Sequence, residues 1–230
     1  MLEEILPNTV KVVESYGDLS GPPYFPEEEV LVSGAVDKRR AEFTTVRRCA
    51  RGALAQLGVA PAPILPGQRG APGWPEGIVG SMTHCLGYRA AAVAPGEDWL
   101  SIGIDAEVHD KLPAGVLDAI ALADERLELR RLAAVDPSVH WDRLLFSAKE
   151  SVYKAWFPLT RRWLDFSEAR LTFDHAGTFT ARLLVVGPVV GGRRITAFSG
   201  EWLVRDDFIV TAIVAPHVGA RVPRQLAQAG

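Results

Sequence analysis

Three carboxylates and one ammonium fall where chemistry is possible. Asp105 and Glu107 close the short apolar run at residues 100–104, which reads as a strand. At the strand period of two, both side chains point to the same side. Carboxylates that close repel unless a cation or proton lies between them, and with water and phosphate oxygens they suit Mg²⁺. Further on, Phe146–Phe157 reads FSAKESVYKAWF. Wound as a helix, it puts Ser147, Glu150, Ser151 and Lys154 on one face and Ala148, Val152, Ala155 and Trp156 on the apolar face beside it. Alone, Glu150 and Lys154 are an i,i+4 pair of the kind that decorates many helices, worth about 0.3 kcal/mol. Together with the acidic pair upstream and an arginine-rich segment near the start, they acquire another meaning. An acidic pair for a metal, a basic cradle for phosphate and a Lys–Glu–Lys helix are what phosphoryl-type transfer requires.

The elements that must position these groups can be traced along the chain. Asp37 reads as the cap of a helix over residues 38–57, closed by Gly58. Phe43, Val46, Ala50, Leu54 and Leu57 form its inward stripe. Lys38, Arg39, Arg40, Arg47, Arg48 and Arg51 cover the rest, and guanidinium groups in such number suit a polyanion. A Pro/Gly-rich connector over residues 60–77 carries Arg69. Two strands follow at residues 78–84 and 88–94, joined around Leu86 and Gly87, with Thr83 and His84 at the turn, where His84 could donate to a phosphate. Residues 116–134 read as one helix with a solvated charged face that includes Asp124, Glu125, Arg126 and Glu128. The helix from Trp141 is expected to stop at Pro158. Strands near residues 169–173, 178–186, 195–204 and 208–215 come next, the last two a hairpin over Arg205-Asp206-Asp207. Met1–Val36, including GPPYFPEEE, reads as irregular surface chain, and the tail after Pro216 as frayed. The expected class is α+β, as two similar halves (residues 1–108 and 109–230) in one compact unit. Each half is a long helix on a small, mostly antiparallel sheet, and no sequence repeat links them.

Composition narrows the function. With 230 residues, 48% of them hydrophobic, the chain can bury a sizeable core. Cys49 and Cys85 lack metal-ligand spacing and argue against a disulfide scaffold or a zinc site. The acidic start MLEEILPNTV has no signal-peptide pattern, and no apolar run reaches membrane-span length, so a soluble cytoplasmic protein is expected. A net charge of −3 argues against general nucleic-acid affinity.

GIDAE at Gly103–Glu107, FSAKESVYKAW at Phe146–Trp156, SMTHCLGYRAAAVA and KRRAEFTTVRRCARGAL, taken in order and with their separations, resemble the 4′-phosphopantetheinyl transferases. The likeness is to the larger, pseudo-dimeric type, in the bacterial branch that serves polyketide, siderophore and mycolate-type synthases. It runs from about Lys38 to Leu164. It implies two halves related by a pseudo-twofold axis, with coenzyme A and Mg²⁺ in the cleft between them. The implied reaction moves the phosphopantetheine arm of coenzyme A onto a serine of an apo acyl or peptidyl carrier protein and releases 3′,5′-ADP. Carried over by position, Asp105, Glu107 and Glu150 hold the metal, although the backbone carbonyl of Ala106 could replace Glu150. Glu150 is also the base for the serine hydroxyl, and Lys154, assisted by Lys149, holds the transferring phosphate. Thr83 and His84 contact the nucleotide's phosphates, and Arg39 and Arg47 grip the 3′-phosphate.

Two positions depart from simple expectation. Residues eight apart on a helix are offset by about 80°, so spacing alone pairs Arg40 rather than Arg39 with Arg47. In LPGQRGAP the family's lysine before the first glycine is replaced by Pro66, and Arg69 is the cation nearby. A carrier partner of the usual acidic kind needs a local basic patch, for which Trp156, Phe157 and Leu159 with Arg161 and Arg162 offer an apolar anchor and a basic rim. A monomer is expected. Two rivals remain at this stage: a metal-dependent pyrophosphatase acting on coenzyme A or nucleotides, and a coenzyme A-binding module without catalysis.

Overall fold

The computed structural model describes residues 1–21 and 25–217. The chain is mixed α+β with antiparallel sheets. Helix α1 (Leu2–Ile5) and strand β1 (Lys11–Tyr16) lead to α2 (Pro26–Val32) and the long α3 (Asp37–Ala55). Strands β2 (Ile78–Cys85), β3 (Tyr88–Pro95) and β4 (Trp99–Val108) follow. Helices α4 (Val116–Ile120), α5 (Ala123–Val135) and α6 (Trp141–Thr160) precede β5 (Ala169–Asp174) and β6 (Thr178–Leu183). The chain continues through the short pair β7 (Val189–Val190) and β8 (Arg193–Arg194) to β9 (Ala197–Arg205) and β10 (Phe208–Pro216). One sheet runs β1-β3-β2 and the other β4-β10-β9-β6-β5. The frayed tail expected after Pro216 lies almost wholly outside the described residues.

Each long helix lies on its own sheet. Cys49, Ala50, Ala53 and Leu54 of α3 bury against Ala91 and Val93 of β3. On α6, Leu144, Leu145, Ala148, Val152, Ala155 and Trp156 bury against the larger sheet. A third core under β3, β4 and β10 is capped by Met1, Leu2 and Leu6.

The two sheets meet at β2 and β4 through side chains. Ser81 Oγ accepts the Ile104 N–H at 3.1 Å and Thr83 Oγ1 accepts the Ala106 N–H at 3.0 Å. Two hydroxyls thereby satisfy backbone donors that a neighbouring strand would otherwise take. On its other edge β4 pairs with β10, placing Asp105 opposite Thr211 and Glu107 opposite Ile209. The strand that carries the acidic pair is held from both sides.

Gly103 explains the first residue of GIDAE. A Cβ there would sit 2.0 Å from the Ser151 carbonyl oxygen and 2.7 Å from the Ala155 amide, so only glycine lets α6 lie directly on β4. The hydroxyls of Ser147 and Ser151 both meet the Thr211 hydroxyl, at 3.0 and 2.6 Å, and seat α6 on β10 as well.

Several expectations are corrected. The opening segment is ordered: β1 pairs with β3 from Lys11 to Tyr16, but as an edge strand with one buried residue, Val12, it lacks a clear alternation. Within PEEE, Glu28 faces inward on α2. The residue 116–134 helix is two helices, and Glu125 on its supposedly solvated face is buried. Helix α6 does not stop at Pro158 but runs to Thr160 and closes at Arg161, in the left-handed region at φ 55°. Trp156 and Phe157 of the expected docking anchor are core, and Leu159 is partly buried against that core. Val36, not Asp37, is the cap residue of α3.

Candidate functional site

A cleft of about 940 Å³ opens between the two long helices. From the smaller sheet's side it is lined by Arg39, Arg47, Arg69 and His84, and from α6 by Glu150 and Lys154. Arg39 and Arg47 both face it. Glu42, Phe43 and Val46 lie in the same stripe, so the eight-residue offset is absorbed by the width of the helix face. Arg40 turns away and donates to the carbonyls of Val32 and Ser33.

Arg39 is exposed and lies 3.1 Å from His84 Nε2. Since a guanidinium only donates, Nε2 is the acceptor and the ring is neutral. Burial, then the Arg39 charge, lowers the His84 pKa below its ordinary 6.5. Glu42 stands 3.7 Å from His84 and 3.9 Å from Arg39. Arg47 is buried, donates from Nε to the Ile64 carbonyl at 2.9 Å, and stacks 3.3 Å over the Phe43 ring. Burial draws its pKa down to about 10. Arg69, in the left-handed region at φ 55°, stands over the Trp163 ring and beside the cleft.

Lys154 reaches across to β4, with Nζ 2.7 Å from Asp105 Oδ1 and 3.0 Å from the Ile104 carbonyl. Thr83 donates to the same Oδ1 at 3.3 Å, so its hydroxyl serves β4 and Asp105 rather than the cleft. Burial, then repulsion from Asp105, raises the Glu150 pKa above its ordinary 4.5, and Lys154 opposes the shift. Glu107 is raised by the same two causes, with Arg143 opposing.

Lys149 is placed away from the cleft. Its Nζ donates to the carbonyls of Phe166 (2.6 Å) and Ala169 (3.1 Å) and pairs with Glu125 at 2.9 Å. These partners account for the three ammonium hydrogens. Lys149 is a strut between α6, α5 and β5, and burial lowers its pKa despite Glu125.

The carboxylates have the chemistry of ligands for a hard cation. Asp105 Oδ2 is buried and has no hydrogen-bond partner, an arrangement a cation would relieve. The Asp105 charge also raises the pKa of both Glu107 and Glu150. Yet Lys154 takes one Asp105 oxygen and Arg143 takes Glu107 at 3.0 Å. Among the described residues no three metal-binding side chains stand close enough to hold an ion as placed. The donor chemistry fits Mg²⁺, and the present spacing is wider than a closed coordination shell.

Some contributors escape a reading of the sequence. Arg143, in the first turn of α6, anchors Glu107 and also donates to the carbonyls of Asp110 and Lys111. Tyr153 lines the cleft with a buried, unpartnered hydroxyl. Its position one residue before Lys154 on an amphipathic helix was the available signal. For Arg143 there was none.

Cations along an open cleft, with a carboxylate and a carboxylate-bound ammonium on the facing helix, suit a phosphate-bearing ligand. Residues 27–94 match the 4′-phosphopantetheinyl transferase N-terminal domain and residues 101–212 the 4′-phosphopantetheinyl transferase superfamily. The chain is 57% identical to the 4′-phosphopantetheinyl transferase Svp of Streptomyces mobaraensis, over 93% of this chain and 88% of that protein. It is 49% identical to the 4′-phosphopantetheinyl transferase PptT of Mycobacterium tuberculosis, over 93% of this chain and 97% of that protein. Enterobactin synthase component D of Salmonella typhimurium is 32% identical over 84% of this chain and 81% of its own length. The chain belongs to the 4′-phosphopantetheinyl transferase family and is an enzyme of that class. Among the described residues no helix is long and apolar enough to cross a membrane.

Proposed function

We propose that this enzyme transfers the 4′-phosphopantetheine arm of coenzyme A to a serine of apo acyl and peptidyl carrier proteins. The observation that carries the reading is the shared cleft, with Arg39, Arg47 and His84 on one wall and Glu150 and Lys154 on the other. In this reading Arg39 and Arg47 bind the 3′-phosphate, His84 and Arg69 the pyrophosphate, and Lys154 the phosphate that is transferred. Glu150 takes the proton from the serine hydroxyl, whose oxygen forms the new P–O bond. The bond to the nucleotide breaks and 3′,5′-ADP departs with its electron pair. A carboxyl raised by burial is a stronger base once ionised, which suits Glu150 to this step. Thr83 contributes by holding Asp105.

Asp105, Glu107 and Glu150 are the residues that would hold Mg²⁺. Once bound, it neutralises charge on the pyrophosphate and the leaving nucleotide. The unpartnered Asp105 Oδ2 supports this assignment. We read α3 on the smaller sheet and α6 on the larger as counterparts across a pseudo-twofold axis, and the protein as a cytoplasmic monomer.

The test is intact-mass analysis of an apo carrier protein incubated with the enzyme, coenzyme A and Mg²⁺. A gain of one phosphopantetheine arm that EDTA prevents is the expected result. Cleavage of coenzyme A with no gain on several carrier types would favour a hydrolase.

A further inference from the structure

Glu28 lies in the PEEE run of α2, between neighbours Glu27 and Glu29 that are exposed, yet its own side chain is 0% exposed. A carboxylate buried so completely is tolerated only when it is paired and hydrogen-bonded. Its Oε1 accepts from Arg51 Nη1 at 2.6 Å and from the backbone N–H of Ile64 at 2.9 Å, and Arg47 Nε stands 4.0 Å away. The Ile64 carbonyl in turn accepts from Arg47 Nε at 2.9 Å. One peptide position is therefore gripped at its N–H by Glu28 and grips Arg47 at its C=O. The Phe43 ring lies against the guanidinium plane and closes the arrangement.

With Nε committed to Ile64, the two terminal nitrogens of Arg47 are the donors it can present to a ligand in the cleft it lines. We propose that Glu28 is a positioning residue for the 3′-phosphate: it fixes the Ile64 peptide, and through it the fork of Arg47, and so sets the preference for coenzyme A over 3′-dephospho-coenzyme A. This rests on the reading of Arg47 as the 3′-phosphate ligand. Glu28 touches neither substrate nor the reacting atoms. Its contacts run to Arg51 and Arg47 of α3 and to Ile64.

The experiment compares KM for coenzyme A and for 3′-dephospho-coenzyme A in four proteins: wild type, Glu28→Gln, Arg47→Ala and the double variant. Glutamine keeps the volume and an acceptor for Ile64 but removes the charge that orders Arg47 and Arg51. Each single change is expected to lower the preference for coenzyme A about tenfold, the scale of one charge-assisted hydrogen bond. The double variant should fall no further than Arg47→Ala alone, because both changes act through one group. Should Glu28→Gln fail to fold, Glu28→Gln with Arg51→Met removes both charges of the buried pair and serves the same comparison. If Glu28→Gln keeps the preference, or loses both substrates equally, while Arg47→Ala loses it, the inference falls and the reading of Arg47 stands. If Arg47→Ala itself keeps the preference, the assignment of Arg47 fails first.

Discussion

Lys154 Nζ lies 2.7 Å from Asp105 Oδ1, joining α6 to β4 across the floor of the cleft. The ammonium also takes the Ile104 carbonyl, so two of its donors are held by the protein and one remains for a phosphate oxygen. A cation held this way is preorganised, which is the condition under which a positioned donor stabilises developing charge most effectively. Lys154→Ala is expected to lower the single-turnover transfer rate by about 10²–10³. Lys154→Arg should not rescue it, because a planar fork cannot reproduce a compact point charge among these acceptors. Transfer at the normal rate in Lys154→Ala would remove this lysine from the chemistry.

Glu150 gives opposite signs for activity and stability. As the base it must be ionised; burial and Asp105 raise its pKa in the metal-free protein, a shift that bound Mg²⁺ would oppose. Glu150→Gln should retain coenzyme A binding by calorimetry and lose transfer. A raised folded-state pKa means that the folded protein binds more protons than the unfolded chain between the unfolded and folded values. Stability therefore falls as pH rises through that window. The metal-free Glu150→Gln protein should accordingly have a higher Tm than wild type at neutral pH. A lower Tm would show that the ionised carboxylate is stabilising.

Arg47→Ala should raise KM for coenzyme A more than KM for 3′-dephospho-coenzyme A, measured with saturating carrier protein. The guanidinium is already desolvated and stacked on Phe43, so little ordering cost remains to be met on binding. Equal losses on both substrates would place Arg47 elsewhere in the site.

How far the site was legible in the sequence follows from the kind of signal each residue leaves. Glu150 and Lys154 are read from helical periodicity, and Asp105 and Glu107 from a strand period, because local spacing alone sets those faces. Arg39 was separable from Arg40 only by the tertiary direction of α3, which packs on β3 and leaves Arg40 to Val32 and Ser33. Glu125 looks like a surface charge and Lys149 like a phosphate ligand because each is one member of a pair whose partner lies elsewhere in the chain. Only the packing of α5 against α6 reveals their burial. Glu28 is concealed in the same way within an acidic run. In the fold, β2 and β3 were legible as two short runs joined around Leu86 and Gly87. The edge strand β1 and the minimal pair β7 and β8 were not, since pairing rather than pattern creates them.

Lys149 supplies the last prediction. The resemblance gave it a part in holding phosphate, whereas its ammonium is enclosed by Glu125 and the carbonyls of Phe166 and Ala169. The carboxylate of Glu125 also accepts the backbone N–H groups of Leu122 and Leu171, so the pair ties three elements together. Removing one partner of such a pair leaves a buried charge uncompensated and costs about 3–5 kcal/mol. Lys149→Met should therefore lower the denaturant midpoint sharply at unchanged m-value, while the folded fraction binds coenzyme A with little loss of affinity. A phosphate ligand would behave in reverse, with weakened coenzyme A binding and near-normal stability, so chemical denaturation and calorimetry on the same variant separate the two roles.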